Sequence, residues 1–149
     1  MLSLLFLIAV GIVVWLIVRP TPQRDAAAGQ SWAQFHHHAV SNGWTLLHIH
    51  SVYMHGNRGS KALVSIYGDA HGARRDSWFW WHQVQPGSVV AVSGLSEGWG
   101  PHTDRDDVLY IGDEFSRRDS VQATFGAREL VRAQRDWTRR MMYAVGGAA

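Results

Sequence analysis

No cysteine occurs anywhere in the 149-residue chain, so disulfide frameworks, thiolate metal sites and cysteine nucleophiles are all excluded. The same absence leaves the redox compartment open. Lysine is nearly missing too: Lys61 is the single one among fourteen basic residues, and the other thirteen are arginine. Twelve acidic residues bring the charge close to balance, which is no footprint of a nucleic-acid binder. No internal repeat or low-complexity tract is visible. What the chain has in excess is tryptophan. Eight of them require either a bulky core or an aromatic recognition surface.

One long hydrophobic run stands at the start. Met1 to Val18, MLSLLFLIAVGIVVWLIV, carries no charge, and Ser3 is its one polar side chain. A helix of that length reaches about 27 Å, close to the hydrocarbon thickness of a bilayer. Trp15 suits the interface, and Arg19-Pro20 stops the segment. Ala26-Ala27-Ala28 offers the small residues of a signal-peptidase site, but a basic leader region is missing and the run is long. An uncleaved anchor in the lipid bilayer is the expectation. Arg19 and Arg24 flank it on one side, which places the rest of this single-pass cell-membrane protein in the cytoplasm.

Residues 19–30, with two prolines, small residues and charge, read as a tether. The domain then runs over 31–149. Ser31 is placed to cap a short helix in which Trp32, Phe35, Ala39 and Val40 share a face, with Asn42-Gly43 as its stop. Short β-like runs follow: Trp44–Met54, Lys61–Tyr67, Ser77–Trp81, Ser88–Ser93 and Val108–Ile111. Gly56–Gly59, Gly68–Arg75 and Gln85-Pro86-Gly87 mark turns, and Gly94–Asp107 is a long loop. The pattern predicts a mainly β fold: a small five-stranded antiparallel barrel or half-barrel, OB-like or SH3-like, flanked by helices. A final amphipathic helix over 126–145 puts Leu130, Trp137, Met141 and Val145 on one side, to pack on the sheet. Arg128, Arg132, Arg135 and Arg139 lie on the other side, in water or against lipid or a partner.

Candidate chemistry is sparse. His36-His37-His38 point three ways on a helix and cannot share an ion. His48 and His50 share a strand face, the weak beginning of a metal site that lacks a third ligand. Gly94-Leu95-Ser96-Glu97-Gly98 matches the nucleophile-elbow spacing formally. Trp99-Gly100-Pro101 cannot continue it as a helix, and the only later histidine, His102, follows Ser96 too closely for a triad. Thr103–Asp107 crowds carboxylates without the spacing of a calcium loop. No catalytic residue, cofactor or metal is therefore expected. Trp78-Phe79-Trp80-Trp81 makes both faces of a strand apolar, and Trp99 sits in the long loop. Trp78, Trp80, Trp81 and Trp99 are the candidate interaction surface. From Asp69 to Asp119 five arginines face nine acidic residues, which argues against nucleic acid. The reading is a membrane-anchored interaction module that binds another protein or a copy of itself. The alternatives are a metal-dependent enzyme or metal-binding domain at His48 and His50, and an extracytoplasmic sugar- or peptide-binding domain using exposed tryptophans.

Overall fold

The computed structural model describes residues 21–69, 71–97, 108–112, 115 and 120–146. Two helices, α1 (Pro22–Ser41) and α2 (Ala127–Gly146), enclose seven strands in sequence. These are β1 (Thr45–Gly56), β2 (Gly59–Ile66), β3 (Arg75–Trp80), β4 (Val89–Val92), β5 (Leu95–Glu97), β6 (Val108–Ile111) and β7 (Val121–Phe125). They form one sheet in the order β5-β6-β3-β2-β1-β4-β7.

The mainly β character stands, with seven strands where the spacing predicts five. Three residues are too few to announce β5, whereas β7 alternates Val121, Ala123 and Phe125 with Gln122 and Thr124 between Ser120 and Gly126, a signal that the five-strand count omits. The sheet is also not wholly antiparallel, since β3 and β6 run parallel. That pairing follows from how the chain closes the sheet. β1, β2 and β3 form a meander, with Asn57-Arg58 as the two-residue turn between the paired Gly56 and Gly59. Gly59 has φ +130°, and a Cβ there would stand 1.8 Å from the Phe79 carbonyl oxygen, so no other residue fits this close approach of β2 to β3. β4 pairs with β1, and β5 pairs with β6. Only Ser93-Gly94 separates β4 from β5. The two sit at opposite ends of the run from β5 to β4 yet are nearly one strand, so the sheet must curl until its ends meet.

The curl creates a private interior. Leu47, Ile49, Ala62, Val64, Phe79 and Ile111 are fully buried in one cluster drawn from four strands. The connection from β3 to β4 crosses this interior and drops Val84 into it. Ser60 holds the crossing in place: its hydroxyl donates to the His82 carbonyl at 2.8 Å and accepts from the Val84 N–H at 3.1 Å. The alternate residues of β1, β4 and β7 face outward. Leu46, Val89, Ala91 and Phe125 bury there beneath the two helices, together with Ala28, Ala39, Leu130 and Ala133.

α1 corrects the tether. Residues 22–30 are its first half, because Pro22 stands at the start of the helix, where its missing N–H is not needed. Ala26-Ala27-Ala28 then favour the helix intrinsically. Ser31, expected as a cap, lies inside it. The expected stop holds: Gly43 turns at φ +67° and its N–H donates to the Val40 carbonyl at 3.0 Å. α2 runs antiparallel to α1. Arg139 Nη2 binds Asp25 Oδ2 at 2.8 Å near one end, and Asp136 lies against Gly29 one turn along.

The buried stripe of α2 differs from the one that periodicity selects. Leu130, Ala133 and Asp136 are buried, whereas Trp137 and Met141 are exposed. The reason is the partner: beyond its first turns α2 packs on α1 rather than on the sheet, and α1 presents the small Gly29 there. Arg139 is likewise not simply solvated, since it pairs with the buried Asp25, while Arg128 and Arg135 are exposed and Arg132 is half-buried. The side chain of Val145 lies outside the described residues, as does the anchor segment 1–18. Among the described residues no helix is long and apolar enough to cross a membrane.

Candidate functional site

The β3 aromatics divide as alternation requires. Phe79 fills the interior, and Trp78 and Trp80 lie together on the outer face, stacked at 4.3 Å with 18° between their planes. The Lys61 ammonium stands 4.1 Å from the Trp78 ring centre, opposite it on β2. Such a contact contributes about 0.5–1 kcal/mol at a partly exposed site. The stack is not an open platform: Trp80 is 4% exposed, and Trp78 is half-buried. Neither belongs to the cluster beneath the helices. Trp81 leaves the strand with φ +65°, so it joins neither face of β3. Trp99 and the acidic loop Thr103–Asp107 lie outside the described residues. Ser96 belongs to strand β5, so its backbone has no strand-to-helix elbow.

His48 and His50 project from the outer face of β1, ring centres 4.6 Å apart. His50 Nε2 meets the Ser65 hydroxyl at 2.9 Å. Burial and the nearby Arg74 hold the His48 imidazole below its usual range. Burial, the His48 charge and Arg74 do the same to His50. Two neutral imidazoles are good ligand material. Among the described residues, however, no third His, Asp, Glu or Cys joins them to hold a metal ion.

An apolar groove adjoins this pair and is invisible in the sequence. His48 makes an edge contact with Tyr67, whose ring lies 4.8 Å from Trp32 of α1. Trp32 in turn meets Phe125 edge-on at 5.0 Å. Between these rings and α2 lies a groove of about 370 Å³ lined by Trp32, Tyr67, Leu130, Ala133, Gln134 and Trp137. The lining is apolar except where Gln134 hydrogen-bonds the Tyr67 hydroxyl. Burial pushes the Tyr67 phenol up, and that hydrogen bond offsets part of the rise. The phenol is thus a protonated polar handle in an apolar slot. Trp137, at 64% exposure, forms the outer wall.

A groove of this size with one polar pair is suited to a single bulky apolar side chain and carries no nucleophile or acid–base pair of its own. Periodicity placed Trp137 in the core, and no pattern linked Trp32 or Tyr67 to it. The signal that existed was the surplus of tryptophan itself. Comparison with protein-family models, with curated proteins and with solved structures gives no match, so the geometry of the chain carries the functional reading by itself.

Proposed function

We propose that this protein is a single-pass membrane-anchored interaction module whose groove between α1 and α2 receives an apolar side chain of a protein partner or of a second copy. Residues 1–18 form the anchor, and Arg19 and Arg24 favour the cytoplasmic side for the domain. The single observation that carries the reading is Trp137. A large indole left mostly in water beside an apolar groove, with Trp32 and Tyr67 behind it, is the arrangement from which binding hot spots are built. For the barrel we favour the OB-like arrangement over the SH3-like one. What supports it is the meander β1-β2-β3, the parallel β3–β6 pair and a nearly continuous β4–β5 that pairs with β1 and β6 in turn.

The experiment compares Trp137→Ala with the native chain, both full length, by chemical cross-linking in the native membrane. Loss of one central aromatic weakens association about tenfold or more. Because the side chain is exposed, thermal stability stays nearly unchanged. Cross-linking that survives Trp137→Ala but disappears in Trp78→Ala moves the site to the outer face of β2 and β3. That face is the second reading, a sugar- or peptide-binding surface, favoured by the Trp78–Trp80 stack and Lys61.

A further inference from the structure

We infer that the last turns of α2, around Met141, Met142 and Tyr143, lie in the headgroup layer of the bilayer and fix the tilt of the domain. The inference rests on the anchor reading above and adds to it a second contact with lipid.

The argument begins with the length of free chain. α1 starts at Pro22 and is already clamped to α2 at Asp25, which is 1% exposed and paired with Arg139. Only Arg19, Pro20 and Thr21 separate Val18 from that helix. Four residue steps reach at most about 14 Å even when fully extended. An anchor ending at Val18 therefore holds Pro22 within that distance of the hydrocarbon edge, and the headgroup layer itself is about 5–7 Å thick.

The antiparallel pairing brings the far end of α2 to the same place. Pro22, Asp25, Val131, Thr138, Arg139 and Met142 line one groove of about 530 Å³. At this end Met142 is 65% and Tyr143 76% exposed, and Met141 is exposed beside them. Three large apolar or aromatic side chains in water are unfavourable on a free domain and favourable at an interface, where tyrosine rings concentrate. The charge is complementary as well. At this end Arg135 is exposed, and Arg139 and Arg140, though paired with Asp25 and Asp136, keep part of their guanidinium surface in water, which puts cations within reach of anionic headgroups. Arginine stems lie along apolar surface while their heads reach phosphate. A protein occupant would have to wedge between this face and the bilayer within the reach of a three-residue link.

Because the chain lacks cysteine, single labels are clean. Met142→Cys and, as control, Ser41→Cys carry an environment-sensitive fluorophore in the full-length protein. Ser41 is exposed and ends α1 roughly 28 Å from Pro22. The protein is inserted in phosphatidylcholine–phosphatidylglycerol vesicles that contain headgroup-spin-labelled lipid, and flotation is checked after carbonate washing. The expected result is flotation, with most of the Met142→Cys emission quenched by the labelled lipid and the Ser41→Cys emission left intact. Flotation with equal iodide quenching at both sites overturns the inference and leaves the anchor standing. Shielding of Met142→Cys from iodide without lipid quenching assigns the face to protein and also overturns it. Failure to float overturns both.

Discussion

Two imidazoles side by side on the outer face of β1 make a pH-sensitive pair. Burial disfavours the charged form of each, Arg74 repels it, and the His48 charge adds to the effect on His50. Both therefore hold protons less readily than the ordinary imidazole at 6.5. The unfolded chain takes up protons at sites that the folded chain keeps neutral, so the sign is fixed. Stability is whole above that value and declines as the pH falls through the depressed folded values. The melting temperature should thus drop as the pH falls below 6.5, and His48→Gln should flatten the decline. Histidine C2 proton resonances that titrate at or above 6.5 would contradict the assignment. At this scale the sequence was informative: the H-x-H spacing placed both rings on one face, as found. Their neighbours Ser65, Tyr67 and Arg74 were beyond its reach, because strand register decides them.

Helix against helix, the decisive contact is an ion pair that spans nearly the whole domain in sequence. Asp25 is buried, one of its oxygens is bound to Arg139, and the other has no hydrogen-bond partner among the described residues. Removing the guanidinium leaves a carboxylate stranded out of water. Arg139→Ala should lower unfolding free energy by about 3 kcal/mol, read from urea denaturation. A double change, Asp25→Leu with Arg139→Met, should recover most of that loss, since two apolar side chains need no partner. The same contact shows why the elements were only partly legible. Turn residues such as Asn57-Arg58 and Gln85-Pro86-Gly87 mark β1 to β4 locally, so those strands were readable. The first half of α1 was not. Pro22 and Gly29 look like breakers until one sees Pro22 at a helix start and Gly29 making room for the Asp136 carboxylate, where a Cβ would stand 2.5 Å away. In α2, periodicity found an apolar stripe but could not know that α1, rather than the sheet, would lie beneath much of it. The groove follows from that misplacement. Trp32 of α1, Tyr67 in the turn after β2 and Trp137 of α2 are far apart in sequence, and their meeting is a property of the packed molecule.

For the molecule as a whole, closure depends on β6. It pairs with β3 on one side and β5 on the other, and without it the sheet from β3 to β4 has no link across its gap. A chain ending before Val108 should therefore lack cooperative unfolding, as calorimetry or urea titration of such a truncation would report. The β3 partner arrives roughly thirty residues later in the chain, a long-range pairing that is slow to form. During synthesis, then, β3 waits with bare N–H and C=O groups along one side, its tryptophans in view, until Val108–Ile111 leaves the ribosome. Two nascent copies would meet in that interval edge to edge. The step at which this protein most needs protection is its own translation, and slowing the ribosome just upstream of Val108 should raise the yield of aggregate.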